Sequence, residues 1–385
     1  MKLFKYMDKT ILIITIILFA IGTVMIFSAS NVSTYIRNAN SPYYYLIRQI
    51  VILVVAFIIS IFFLLINVKT TSKLSTLLTY LFIISLFMLF LFGKITNHAQ
   101  SWFKLGFFNV QPSEFLKVFM IIWAARYYDL KEKKLDNYTT ALYPAMIILI
   151  AFAAIFLQPD LGTALIVLLI FAFIFVLAPI SKDIKYKIVG LGLAFVFLGV
   201  LVVAGFGSKI LSETQMQRIT SVISSNPCSE ENYYTDGNQI CNGYIAINNG
   251  GLMGKGLGNS IQKYLYLPEA HTDFIFCIII EELGLLFGLF IILLYIVLLA
   301  KIIILGRKCS NNRDALICYG GAFYIFIHIM VNLLGVFGII PMTGVPLPFM
   351  SYGGSYLLSL SIILSVIQRI SFETRLKLAT LKGNE

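Results

Sequence analysis

The decapeptide Leu267-Pro268-Glu269-Ala270-His271-Thr272-Asp273-Phe274-Ile275-Phe276 sets ionisable groups directly in front of an apolar run that reaches about Ala300 and is interrupted only by Glu281-Glu282. A carboxylate at the mouth of a membrane helix can act as a base on a membrane-bound substrate, and Asp273 is placed for that task. A plainer role suits the same position, because Thr272 or Asp273 could cap the helix by accepting from its free N–H groups. The helix N-terminus favours the ionised carboxylate, which keeps it available but weakens its basicity. Glu281 and Glu282 lie roughly 12 to 14 Å deeper at helical rise. Two adjacent carboxylates in hydrocarbon need partners or a polar cavity, so a hydrated interior is expected on this helix.

A second constellation is Gln111-Pro112-Ser113-Glu114-Phe115-Leu116-Lys117. Proline suits the first turn of a helix, and Glu114 and Lys117, three apart, then share a face and can pair. An ion pair inside a membrane span is costly, so it is either a packing device or a site in which Lys117 neutralises a phosphate. Arg48 follows Pro42-Tyr43-Tyr44-Tyr45 at a span boundary. It can snorkel to the headgroups or bind an anionic one, and the tyrosines read as an interfacial belt. Asp160 or Thr163, in Gln158-Pro159-Asp160-Leu161-Gly162-Thr163, is read as a helix cap.

The elements that must hold these groups are membrane helices. The 385 residues are 59% hydrophobic and 12% charged, against about 25% charged in soluble proteins. Apolar stretches of spanning length centre on 11–29, 45–66, 74–93, 113–128, 141–158, 161–180, 186–206, 273–303, 315–340 and 347–368, the fourth being the least apolar. An all-α polytopic membrane protein of about ten transmembrane helices is therefore expected. Its one large extracellular loop covers about 207–272, and a short tail about 369–385. The first stretch is long enough to span and lacks a small-residue cleavage site, so it is expected to stay as a helix.

With the N-terminus inside, Lys2, Lys5 and Lys9, Lys69 and Lys73, Arg126 to Lys134, Lys182 to Lys187, Lys301 to Arg313, and Arg369 to Lys382 all fall in the cytoplasm. The net charge of +11 thus follows the positive-inside pattern. It does not call for nucleic acid, and both termini are expected to be cytoplasmic.

Cys277 and Cys318 fall in apolar helices and Cys309 in a cytoplasmic loop, where reduced thiols are the default. Cys228 and Cys241 lie in the outer loop, where either a bridge or two thiols is compatible with the spacing. The run Gly250 to Ser260 has several glycines and Lys255, but its spacing and context are not those of a phosphate loop. A close-packed re-entrant loop needing φ > 0 explains it, while Lys255, Lys263 and Arg218 leave it able to attract anions. Pro341, Pro346 and Pro348 with Gly338, Gly344, Gly353 and Gly354 mark irregular backbone at the outer boundary. His328 reads as a packed, hydrogen-bonded residue, and no second histidine or cysteine sits at ligand spacing from it, so no protein-built metal site is assigned.

Leu267 to Phe276, Glu281-Glu282-Leu283-Gly284, Gln111 to Lys117 after Trp102, Gln158 to Thr163 and Pro341 to Ser355, in that frame, resemble the signature blocks of the SEDS family of FtsW, RodA and SpoVE proteins. The likeness runs nearly end to end as a single domain, 1–385. Leu267 to Phe276 is closer to FtsW, and Gly344 to Pro348 is similar to RodA. The resemblance implies a bacterial peptidoglycan glycosyltransferase that polymerises lipid II in the cell membrane during division or elongation. It also implies a class B penicillin-binding protein transpeptidase as partner, among other divisome or elongasome proteins.

The family's catalytic aspartate falls on Asp273, expected to be the general base. Lys117 and Arg48 are expected to meet the leaving diphosphate, with Glu114 orienting Lys117 and Trp102 lining the cavity mouth. A divalent cation, Mg or Mn, could share the leaving-group charge without any protein motif for it. A lipid II flippase would share the ten spans and the charged cavity. The carboxylate at the outer helix mouth and the lack of a clear inverted pair of broken helices favour the enzyme.

Overall fold

The computed structural model describes residues 5–38, 41–96, 99–105, 108–192, 226–233 and 237–382. Among the described residues, the helices that organise the fold are α1 (Lys9–Asn38), α2 (Tyr44–Leu65), α3 (Val68–Phe92), α4 (Pro112–Leu130), α5 (Tyr138–Phe156), α6 (Leu161–Leu177), α7 (Asn238–Gly250), α8 (Ile275–Lys308), α9 (Asn312–Val336) and α10 (Gly354–Lys382). Seven of these, α1, α2, α3, α5, α8, α9 and α10, are long and apolar enough to cross a membrane, and α6 is a shorter apolar helix. The expected span 186–206 begins helically over 182–192, and its remainder lies outside the described residues. One small addition to the all-α expectation is a three-stranded antiparallel sheet of β1 (Lys94–Thr96), β2 (Ala99–Leu105) and β3 (Phe108–Val110), which leads into α4.

Side-chain caps set several helix starts. Asn67 accepts from Thr70 N, Asn137 from Thr139 N, Asp160 from Thr163 N and Asn311 from Asp314 N, each satisfying a donor that the first turn leaves open. Asp160 is thus the cap its position suggested. The expected span at 113–128 is α4, which carries Glu114, Lys117, Arg126 and Asp129 and is buried over most of its length. Its low apolarity has a physical reason: protein rather than lipid surrounds it, so its polar groups find partners.

The bundle has two chemically distinct ends. At one, Arg375 pairs with Asp8, Arg369 Nη1 donates to Leu64 O, Glu373 accepts from Val68 N, and Asp129 accepts from Arg313 N. This end gathers the start of α1 and the end of α10 with the basic loops. Helix α10 runs unbroken through most of the expected tail, whereas 347–353, expected to open the last span, is irregular. The opposite end gathers the sheet, the start of α4, the decapeptide and the 337–353 loop.

Helix α8 is broken at Gly284, whose φ of 86° and ψ of 165° are not helical. The break frees carbonyls that the glycine-rich loop then satisfies. Lys255 N donates to Glu281 O and Gly256 N to Glu282 O, while Leu285 N and Leu286 N donate to Gly251 O and Leu252 O. Gly254 (φ 78°) lies against this break so closely that a Cβ there would stand 2.3 Å from Glu282 O. Only glycine fits so close a backbone approach.

Candidate functional site

Asp273 sits one residue ahead of the cap position of α8, which Phe274 occupies. The expectation that Thr272 or Asp273 occupies the cap is corrected: Phe274 has no side-chain acceptor, and the Thr272 hydroxyl is used on Glu269 O and Oε2. The backbone around Asp273 is fastened instead by the 345–352 loop and by α9. Asn332 Nδ2 donates at 2.9 Å to both Asp273 O and Val345 O. Ser351 Oγ donates to Thr272 O at 2.6 Å and accepts from Leu347 N, and Tyr352 N donates to His271 O at 3.0 Å. Asp273 is half-buried, and its Oδ2 lies 3.6 Å from where a Cβ would stand on Gly344.

Arg48 and the tyrosines belong to this end too. The Arg48 guanidinium lies 4.4 Å from the Tyr44 ring centroid and beside the Tyr352 hydroxyl. Tyr45 packs on His271 (4.3 Å) and Tyr352 (4.9 Å). The interfacial-belt reading is therefore too loose for Tyr45, which is a wall of the Asp273 loop. Burial holds the His271 imidazole below its ordinary pKa, with Glu269 pulling the other way. Burial likewise raises the Tyr352 phenol, which Arg48 counteracts.

Lys117 is buried, and its Nζ donates to Glu114 Oε1 at 2.9 Å, as the three-residue spacing suggested. Its second partner is His328 Nε2 at 3.0 Å. Sequence reasoning expected His328 to be packed and hydrogen-bonded, as it is, but did not identify Lys117 as its partner. The signal that could have found its role is a histidine in a membrane span at all, which needs an inward partner. Tyr356 stacks on the imidazole at 4.5 Å and Tyr324 meets it edge-on at 4.9 Å. Gln111, ahead of α4, donates to Asp160 Oδ2 and through its N–H to Ser355 Oγ, so the starts of α4, α6 and α10 share one polar cluster. Trp102 is half-buried on β2 opposite Lys94.

Glu281 and Glu282 do not line the hydrated interior expected of them. Both are fully buried and saturated by the glycine-rich loop. Glu281 accepts from Asn249 Nδ2, Ser260 Oγ, Ile261 N and Gln262 N. Glu282 accepts from Ser28 Oγ, Gly258 N, Ser260 N and Lys263 Nζ. Lys263 is consumed in this pair rather than left to attract anions, and Lys255 stands 3.9 Å from Glu281. Arg218 lies outside the described residues. Cys228 forms a disulfide with Cys241 on α7, which resolves the alternative left open by their spacing. Among the described residues no group of three His, Cys, Asp or Glu side chains could hold a metal.

A family model described as a cell cycle protein, FTSW_RODA_SPOVE, matches residues 8–376. The chain is 35% identical over 374 residues to the probable peptidoglycan glycosyltransferase FtsW of Bacillus subtilis, covering 96% of this chain and 92% of that one. It is also 35% identical over 375 residues to stage V sporulation protein E of the same organism, covering 96% and 98%. Among solved structures it shares its fold with a chain described under "Structural coordination of polymerization and crosslinking by a peptidoglycan synthase complex", at TM-score 0.75, 23% identity and coverage of 96% and 98%. The rod shape determining protein RodA of Thermus thermophilus matches at TM-score 0.66, 22% identity and coverage of 95% and 96%. With the model matched over almost all its length, this membrane protein belongs to the FtsW, RodA and SpoVE family.

Proposed function

We propose that this protein is a peptidoglycan glycosyltransferase that polymerises lipid II into glycan strands at the outer face of the cytoplasmic membrane. The observation that carries the reading is the Asp273 loop, a carboxylate on irregular backbone held by Asn332 and Ser351 at the same bundle end as the start of α4, the helix that carries Lys117. Asp273 takes the proton of an acceptor sugar hydroxyl, whose oxygen attacks the anomeric carbon of the donor. The bond to the diphosphate breaks with inversion, and the polyprenyl diphosphate leaves. Lys117 and Arg48 offset the charge that develops on the leaving oxygen, Glu114 holds Lys117, and Trp102 contributes to the mouth. This reading places the basic end of the bundle, with both termini, in the cytoplasm, and the ten-span count belongs to it.

A divalent cation, Mg or Mn, fits only as a guest of the diphosphate oxygens and a carboxylate such as Asp273, since the described side chains form no site of their own. It would supply further charge neutralisation to the leaving group. A class B penicillin-binding protein transpeptidase is the proposed partner, in keeping with the synthase complex to which the fold is similar.

The test is purified protein with lipid II and no other polymerase. Glycan chains that vanish in Asp273→Ala support the reading. Undiminished polymer from Asp273→Ala refutes it, and lipid movement across vesicles without polymer assigns a flippase instead.

A further inference from the structure

His328 is buried on α9 with its ring clamped between Tyr356 and Tyr324, the latter anchored by Ser359 at 2.9 Å. An ammonium has three donors and no lone pair, so the 3.0 Å contact to Lys117 Nζ requires His328 Nε2 to accept and the ring proton to sit on Nδ1. Glu114 Oε1 takes a second donor. Two fixed acceptors stop the ammonium from rotating and leave one N–H for a ligand. Asn332, one turn further along α9, holds the backbone of Asp273 and Val345. The same helix face therefore registers the buried cation against the carboxylate loop. Glu114 Oε2, Asn332 Oδ1 and His328 Nδ1 are buried with no close hydrogen-bond partner among the described residues.

We propose that His328 is a positioning residue: it accepts from Lys117 so that the third ammonium donor faces a polyprenyl diphosphate, while Asn332 on the next turn fixes Asp273 relative to it. The inference rests on the glycosyltransferase reading and names how its cation is aimed. Lysine alone is a flexible point charge. Binding a diphosphate through one N–H needs the other two engaged, otherwise the ligand bears the cost of ordering the side chain.

The test is binding of polyprenyl diphosphate to purified full-length protein, followed by native mass spectrometry alongside thermal unfolding. His328→Leu is expected to weaken binding roughly 10- to 100-fold, the scale of a hydrogen bond to a charged group. Lys117→Met should weaken it as much, and the double variant should lose no more than Lys117→Met alone. His328→Gln, which restores an acceptor, should recover most of the affinity.

Wild-type binding by a folded His328→Leu, or losses that add in the double variant, overturns the proposal. If His328→Leu unfolds, His328→Gln decides: weak binding at native thermal stability overturns the proposal, and near-native binding upholds it. The two readings fail separately, because undiminished polymer from Asp273→Ala refutes the glycosyltransferase reading, whereas wild-type diphosphate binding by His328→Leu, measured with Asp273 in place, refutes this one.

Discussion

Replacing Glu282 with leucine tests whether the glycine-rich loop is pinned to α8 by buried charge. Glu282 is fully buried and accepts from Ser28 Oγ at 2.7 Å, Gly258 N at 3.0 Å, Ser260 N at 3.4 Å and Lys263 Nζ at 3.0 Å. Leucine removes all four acceptor contacts and strands Lys263, itself 2% exposed, as an uncompensated buried cation. Breaking one half of a buried pair costs about 3–5 kcal/mol. Lys263 keeps Gly258 O and Ser28 Oγ as acceptors, which places the expected loss near the lower end, about 3 kcal/mol.

Glutamine keeps an acceptor oxygen and should cost about 1–3 kcal/mol, the penalty of a weakened buried hydrogen bond. Adding Lys263→Met to Glu282→Leu removes the stranded charge and should recover much of the stability. Unfolding of purified protein in detergent, followed by tryptophan fluorescence against denaturant, measures each variant. If Glu282→Leu unfolds within about 1 kcal/mol of the parent, or the double variant is no more stable than the single, the charge argument fails.

Gly284→Ala should destabilise the fold and lower polymerisation together, because a Cβ would meet Leu252 O at 2.3 Å at φ 86°; parallel enzyme assays and melting curves check it. Replacing both Cys228 and Cys241 with serine should cost about 3 kcal/mol for a loop of this length, read as a lower unfolding midpoint that the parent shows only under reductant. His271 has a folded pKa below its ordinary 6.5, so the unfolded chain binds its proton first as pH falls. The stability it contributes is complete above that value and drains away as pH drops below it, and a melting series from pH 7.5 to 5 should lose that slope in His271→Gln. Asp160→Ala should lower stability by about 1 kcal/mol through loss of the cap on Thr163 N, measured in the same unfolding assay.

Much of the architecture was legible because its causes are local. Runs of apolar residues long enough to cross a bilayer predict α1, α2, α3, α5, α8 and α9 closely, since helix is the form that satisfies backbone groups in lipid. The three-residue spacing of Glu114 and Lys117 predicts their pairing for the same reason, as does the cap at Asp160. What stayed hidden depends on residues far apart in the chain. Lys117 meets His328 across 211 positions and Glu282 meets Ser28 across 254; neither has a periodicity to reveal it.

The sequence by itself determined that this is a helical membrane protein with a carboxylate at one helix mouth and an ion pair inside another helix, because hydropathy and helical spacing are properties of neighbouring residues. Only the tertiary structure decided that Glu281 and Glu282 grip the glycine-rich loop at the Gly284 break instead of lining a wet cavity. Only it decided, too, that α9 supplies a partner to both Lys117 and the Asp273 backbone. A buried polar group must find its partner wherever the folded chain brings one within about 3 Å, and that proximity is a property of the whole bundle.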